Sequence, residues 1–315
     1  MFSTEDWDQS KITDQSGKTF LITGSNAGLG FEAAKVLSAN KGHVIMATRN
    51  PDKAMEAIAE IKKEVGEQVS LEFLHLDLTD FSSVKRAAAK LEQRPINVLV
   101  NNASVAAPKD DIGRKTIDGF EITMQTNFFG PRLFTKLLTE NVRSATPSRI
   151  IWQAASGESM AKLNWDDLKG EQKDDSTLLG EYAQTKLMNI MIAREMNNRL
   201  QGSGIDVLAC QPGVSHSAIY SKADTSKADV KAIDINQKVA GQSQERGATA
   251  LLYSCTSDDL TGKGFSYIGP KYFTGPINLN IGQTKDRDPK NPEANNPIAC
   301  ARLYDMTEEI LQPFY

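Results

Sequence analysis

The sequence predicts an α/β protein built on one doubly wound parallel sheet, and three observations carry that expectation. Strand-like and helix-like segments alternate at regular spacing along the 315 residues. A glycine-rich stretch, Thr23-Gly24-Ser25-Asn26-Ala27-Gly28-Leu29-Gly30, joins the first apolar run to the first helix-like segment. Neither a repeat nor a low-complexity linker interrupts the alternation. A single domain with right-handed crossovers and helices on both faces of the sheet follows.

Taken in order, Phe20-Leu21-Ile22 is the first strand and Phe31 to Ala39 the first helix. His43-Val44-Ile45-Met46-Ala47 reads as a buried second strand. Asn50 caps the next helix, with Pro51 at its first position, and Gly66 ends it. Val69 to Leu76 is the third strand. Asp80 then caps an alanine-rich helix from Phe81 to about Gln93, and Ile96-Asn97-Val98-Leu99-Val100 is the fourth strand. The helical stretch from about Gly119 to Asn141 contains Gly130-Pro131, which predicts a kink. Arg149-Ile150-Ile151-Trp152-Gln153 is the fifth strand. Tyr182 to Leu200 is a long helix stopped by Gly202 and Gly204. Ile205 to Cys210 is the sixth strand and Gly264 to Ile268 the seventh. Pro297 to Tyr315 predicts an amphipathic helix with Ala301, Leu303, Tyr304, Met306 and Ile310 on one face.

Composition narrows the function. The chain is 40% hydrophobic and 24% charged, the balance of a soluble protein with a sizeable core. Its net charge of −4 gives no electrostatic reason to expect nucleic acid or an anionic membrane as partner. Met1 to Gln15 is polar and acidic, and no apolar run approaches the roughly 18 residues of a membrane span. A cytoplasmic protein is expected. Cys210, Cys255 and Cys300 are odd in number and lack metal-like spacing, which argues against a disulfide framework or a zinc site. His43, His75 and His216 do not cluster, and no metal is expected.

Ligands of such sheets bind beyond the carboxyl ends of the strands. After the first strand, a sharp turn into a helix leaves free N–H groups and the positive end of the helix dipole aimed at one spot, which suits a diphosphate. Gly24 allows the turn, Gly28 removes a side chain that would block the phosphates, and Gly30 lets the helix pack close. After the second strand comes Thr48-Arg49-Asn50. No acid stands there to hold a ribose 2′-hydroxyl, whereas Arg49 can meet a 2′-phosphate, so NADP(H) is favoured over NAD(H). Asp77-Leu78 and Asn101-Asn102-Ala103 follow the third and fourth strands. Their short polar side chains either meet the adenine and ribose edges or tie down turns.

Tyr182 and Lys186, spaced i, i+4, share one face of the long helix. A free phenol, with a pKa near 10, is a poor acid or base at neutral pH, and a neighbouring ammonium stabilises its anion. The following strand ends in Gln211-Pro212-Gly213-Val214, a turn able to close over a nicotinamide.

Together these residues resemble the short-chain dehydrogenases/reductases (SDR), a family with a Rossmann-type sheet. TGSNAGLG is similar to its T-G-x-x-x-G-x-G turn, and NNAS to its N-N-A-G element with Ser104 in place of glycine. YAQTK matches its Y-x-x-x-K pair, and PGVSHS its turn after the sixth strand, with Ser217 at the usual threonine place. The resemblance covers about Gly17 to Gly269. ATRN, LDLTD and the long insert before the tyrosine look most like the retinol-dehydrogenase-like and protochlorophyllide-reductase-like branch. It implies bounds of 1–16 for an N-terminal extension, 17–280 for the dinucleotide-binding domain with its substrate loops, and 281–315 for a tail with a helix.

The resemblance also implies roles. Thr23, Gly24, Ser25, Asn26, Gly28, Leu29 and Gly30 would line the diphosphate, Arg49 the 2′-phosphate, Asp77 and Leu78 the adenine, and Asn102 and Ala103 the ribose side. Asn127 in TNFFG would help hold a water in a proton relay. Tyr182 would protonate a carbonyl oxygen, Lys186 would bind ribose and acidify the tyrosine, and Pro212, Gly213, Val214 and Ser217 would close on the nicotinamide end. The partner implied is a small carbonyl or alcohol substrate; monomer and homo-oligomer both remain open.

One departure stands out. The family ends its fifth strand with two serines, the second of which bonds the substrate oxygen, and in RIIWQAASGES that place is Ala155. Ser156 fills the role if the strand end bulges, Ser159 if it swings in, or the chain is an impaired variant. Loss of one such donor costs about 2.7–4 kcal/mol of transition-state stabilisation. Met160 to Gly180 is expected to wall the substrate cleft, and Ser217 to Gln244 to form a lid. Tyr220, Phe265, Tyr267, Tyr272 and Phe273 supply either an apolar pocket or core. The alternatives to a dark carbonyl reductase are a light-driven reductase of the protochlorophyllide type and a dinucleotide-binding sensor or scaffold without catalysis.

Overall fold

Eight strands hydrogen-bond in the order β3-β2-β1-β4-β5-β6-β7-β8 in the computed structural model, which describes residues 7–106, 115–171, 180–215, 241–270, 277–281 (backbone only) and 289–315. β1 (Thr19–Thr23) lies between β2 (His43–Thr48) and β4 (Val98–Asn101), with β3 (Leu71–His75) outside β2. β5 (Ser148–Gln153), β6 (Ile205–Cys210) and β7 (Ser266–Pro270) extend the other half. All seven run parallel. β8 (Ile277–Ile281) pairs antiparallel with β7 at the edge. The sequence expectation of a wholly parallel sheet holds for seven strands and omits this one. Alternation of strand and helix signals does not announce a strand that pairs antiparallel at the edge.

The strands are apolar on both faces because helices cover both. Leu21, Ile45, Leu99, Ile150 and Val207 meet α3 (Phe81–Leu91), α5 (Gly130–Leu137) and α7 (Gly180–Arg199) through Val84, Leu133, Met188 and Ile192. Phe20, Ile22, Met46, Val100 and Leu208 meet α1 (Gly28–Ala39), α2 (Pro51–Val65) and the later helix Thr249–Thr256 through Leu37, Ile61 and Leu252. Asn50 and Asp80 cap α2 and α3 with side-chain oxygens, as the sequence indicates. Residues before β1 also pack: the Trp7 ring stands edge-on to Tyr253 at 5.2 Å, and Gln15 N donates to Asn40 O at 2.8 Å.

The stretch expected as one helix over Gly119 to Asn141 is more broken. A short α4 (Ile122–Met124) widens into a π turn, Gln125–Phe129, before α5, and α6 (Thr139–Arg143) follows after Leu138. The irregularity therefore lies before Gly130-Pro131 as well as after it, and it places Asn127 in the widened turn, a feature common at functional sites.

α8 (Gln244–Gly247), α9 (Thr249–Thr256) and α10 (Pro297–Leu311) complete the helices used below. α10 buries Cys300, Leu303, Thr307 and Leu311. Of the expected face, Leu303 is fully buried, and Tyr304, Met306 and Ile310 are partly buried against the same core. Thr307 turns inward because its hydroxyl is satisfied on Tyr304 O at 3.0 Å, while the Tyr304 ring is faced by the guanidiniums of Arg132 and Arg199, at 4.5 and 3.9 Å.

Candidate active site

The order in which successive strands are laid down reverses between β1 and β4, which run parallel, and the glycine turn sits at the carboxyl end of that pair. Gly24 and Gly28 have φ of +66° and +62°, the left-handed region that glycine enters without penalty. A Cβ on Gly24 would lie 2.7 Å from Ala103 Cα, and one on Gly30 would lie 2.6 Å from Asn102 Nδ2. A Cβ on Gly28 would meet nothing within 4 Å. Two of the glycines are thus required by the protein's own packing, and the third faces open space.

α1 begins there with Ala27 at its cap position, no side-chain cap and no acid in its first turn. Its neighbours α2 and α3 are both capped. Free N–H groups, the dipole and a side-chain-free approach fit the diphosphate of a dinucleotide.

Several side chains expected to line the diphosphate or face the ribose are occupied by the fold itself. Thr23 Oγ1 donates to Val100 O at 3.2 Å and accepts from the N–H groups of Asn102 and Ala103, each at 3.0 Å. Ser25 Oγ donates to Ile22 O at 3.0 Å. Asn102 Nδ2 donates to Thr23 O and Gly24 O at 2.8 and 3.3 Å. Thr23 and Asn102 weld the turn after β1 to the turn after β4, Ser25 ties down its own turn, and Asn26 and Leu29 are half-buried.

Arg49 is exposed immediately beyond β2, beside a buried Thr48 whose hydroxyl has no hydrogen-bond partner. Asp77 Oδ1 accepts from Thr79 N and Thr79 Oγ1, at 3.0 and 2.7 Å, which fixes the turn after β3. Leu78 is buried, and its carbonyl lies against Gly130, where a Cβ would come within 2.5 Å. Beyond β6, Gly213 N donates to Gln211 Oε1 at 2.7 Å. Gln242 holds the same turn, through its N–H to Val214 O at 3.0 Å and its amide to Pro212 O. Ser217, Tyr220, Tyr272 and Phe273 lie outside the described residues.

α7 carries Tyr182, which is 8% exposed, and Lys186, which is 2% exposed. Lys186 Nζ lies 5.3 Å from the centroid of the Tyr182 ring and donates to Gln153 O at 3.3 Å. Burial pulls the ammonium down from 10.5 to about 7, with the Cys210 side chain acting weakly in the other direction. The same burial pushes the Cys210 thiol up to about 12. A cation held here without a carboxylate is costly unless something anionic joins it.

Asn127 connects the two halves of the site. Its Oδ1 accepts from Val105 N at 2.8 Å, and its Nδ2 donates to Val105 O at 2.9 Å and Thr185 Oγ1 at 3.2 Å. Thr185 Oγ1 donates in turn to Tyr182 O at 2.7 Å. The loop after β4 is so tied to the turn of α7 between the tyrosine and the lysine. Thr185, Asn189 and Gln153 were not signalled as site residues in the sequence. Asn189 Nδ2 shares the Gln153 carbonyl with Lys186, at 3.0 Å. A polar residue three positions after the lysine, on the same buried face of the helix, is the signal that marks it.

β5 ends at Gln153, and after Ala154 and an extended Ala155 a five-residue 3-10 turn, Ser156–Met160, begins. Ser156 is half-buried at its start. Ser159 is exposed, and its hydroxyl donates back to Ser156 O at 3.0 Å, so it does not swing toward the site. Among the described residues no group of three or more His, Cys, Asp or Glu is placed to hold a metal ion, and no helix is long and apolar enough to cross a membrane.

Comparison with known proteins agrees with this arrangement. The short chain dehydrogenase family model matches residues 18–165. Human retinol dehydrogenase 13 is 34% identical over 297 residues, covering 91% of this chain and 82% of its own. An uncharacterised protein of Mycobacterium paratuberculosis superposes with a TM-score of 0.76 at 26% identity, covering 97% of both chains. The L-sorbose reductase of Gluconobacter frateurii, solved with NADPH and L-sorbose, superposes with a TM-score of 0.63 at 17% identity, covering 86% of this chain and all of its own. With its dinucleotide-type glycine turn and its tyrosine–lysine helix, this chain belongs to the short-chain dehydrogenase/reductase family of oxidoreductases, in the retinol-dehydrogenase-like branch.

Proposed function

We propose that the protein is an NADP(H)-dependent oxidoreductase that interconverts a carbonyl and an alcohol, with Tyr182 as the general acid and base. One observation carries the reading: the buried Lys186 ammonium lies 5.3 Å from the centroid of the Tyr182 ring, on the helix that follows β5, while α1 begins at the glycine turn without a side-chain cap. The bound nicotinamide supplies or accepts the hydride, and the protein supplies position and proton.

In this reading the α1 N-terminus and the open side of Gly28 receive the diphosphate, and exposed Arg49 meets the 2′-phosphate. Support for NADP(H) comes from that arginine and from the NADPH present in the L-sorbose reductase structure. Lys186 holds the nicotinamide ribose and stabilises the Tyr182 phenolate. Tyr182 gives its proton to the carbonyl oxygen as the carbon is reduced, and takes one back in the reverse direction. The Asn127 side chain is fully engaged with Val105 and Thr185, so any relay water would be held by its backbone carbonyl. Ser156 is the candidate second donor to the substrate oxygen.

Titration with NADPH and NADH, followed by a panel of aldehydes and ketones that includes retinal, tests this reading. Dark oxidation of NADPH by a member of the panel supports it and removes a light-driven reductase. Ala154-Ala155 favours the second reading, a dinucleotide-binding sensor or scaffold. Tight NADPH binding with no turnover across the panel would establish that alternative.

A further inference from the structure

The turn that carries Ser156 is weakly specified by its own sequence. It is a 3-10 turn, a form with poor hydrogen-bond geometry, and Ala155 gives it no side-chain cap. What holds it comes from 133 residues further along the chain.

Glu158, 3% exposed, turns its carboxylate to the strap that precedes α10 and accepts from the N–H groups of Lys290 and Asn291, each at 3.3 Å. Asn291, 4% exposed, returns two bonds: its Nδ2 donates to Glu158 O at 2.9 Å and to Ala161 O at 2.8 Å. Its Oδ1 caps the strap's own turn through Glu293 N at 3.0 Å. The strap is fixed in turn to α7, where Arg194 Nη2 donates to Asn295 Oδ1 at 3.0 Å. From α10, the Arg302 guanidinium stacks 4.4 Å from the Trp165 ring in the expected cleft wall. The turn after β5 and the helix of Tyr182 and Lys186 are therefore held to one clasp.

We propose that Glu158 and Asn291 are positioning residues that keep the Ser156 turn in register with Tyr182. The inference rests on Ser156 being the second donor to the substrate oxygen. Four hydrogen bonds, two of them buried and two partly buried, converge on these two side chains, and displacement of a reacting group by about an ångström can cost about a hundredfold in rate.

The test is a double-mutant cycle of Ser156→Ala and Asn291→Ala, read as kcat and KM with the best carbonyl of the panel, NADPH affinity, and amide hydrogen exchange over 154–161. Asn291→Ala is expected to lower kcat about tenfold or more alone, and to add little in the Ser156→Ala background. NADPH affinity stays unchanged, and exchange over 154–161 becomes faster. Glu158→Gln keeps one acceptor and gives an intermediate loss, and it serves in the same cycle if Asn291→Ala does not fold. Equal losses from Asn291→Ala in both backgrounds, or unchanged exchange, overturn the clasp while leaving Ser156 in place. An unchanged kcat in Ser156→Ala alone removes Ser156 from the site, and the inference falls with it.

Discussion

Replacing Lys186 by Met should make the empty protein more stable while it stops turnover. Met keeps the length of the stem and removes only the charged end, so packing in the buried site is largely conserved. The amine titrates at 10.5 in the unfolded chain and at about 7 in the folded one, because burial disfavours its charge. Below pH 7 the amine is charged in both states and the full penalty applies, on the order of 5 kcal/mol.

Between 7 and 10.5 the unfolded chain binds more protons than the folded chain, so the stability of the wild type rises with pH across that window. Near pH 9 the remaining penalty is about 2 kcal/mol. Loss of the lysine also leaves no orphaned acceptor, since Gln153 O still receives Asn189 Nδ2 at 3.0 Å. Urea unfolding of both proteins, extrapolated linearly at several pH values, gives the comparison. The Met variant should gain several kcal/mol near pH 6 and gain less near pH 9. A variant less stable than the wild type throughout, or an advantage that does not shrink with pH, would refute the account of Lys186 as a buried, anion-seeking cation.

Other outcomes follow from the same geometry. Binding of the anionic dinucleotide should favour the charged form of Lys186 and take up protons just above pH 7, read by calorimetry in buffers of different ionisation enthalpy; Lys186→Met should abolish the uptake. Arg49→Ala should weaken NADPH by about tenfold or more and NADH little, whereas equal losses would remove the 2′-phosphate contact. Gly28→Ala should lose NADPH affinity at a stability cost of only about 1–2 kcal/mol, because its methyl group meets no protein atom. Gly24→Ala, driven into Ala103, should lose both folding stability and affinity; similar behaviour of the two variants would contradict the division of roles.

The seven parallel strands and the caps at Asn50 and Asp80 were legible because they depend on local chemistry: apolar runs, side-chain caps and glycine stops. The glycine turn and the i, i+4 pair were legible for the same reason. The antiparallel β8 was not, since it is defined by its partner β7 rather than by its own pattern. On α10 the expected apolar face does pack on the core through Leu303, Tyr304, Met306 and Ile310, but apolarity alone does not single out Thr307 and Cys300, whose polar groups find backbone acceptors.

In the site, residue type alone did not separate contacts with a ligand from contacts within the fold. Thr23 and Asn102 show this, for their side chains join two turns of the protein, and Ser25 shows it by tying down its own turn. The same limit hid Glu158 and Asn291, whose partnership spans 133 residues and has no signature in either segment.

The most direct measurement is Tyr182→Phe, assayed for NADPH binding by fluorescence and for carbonyl-dependent NADPH oxidation under identical conditions. The phenyl ring keeps the packing beside Lys186 and removes only the hydroxyl. NADPH affinity should stay within about twofold of the wild type, and turnover should fall by at least about a hundredfold. Turnover retained at the wild-type level would contradict it.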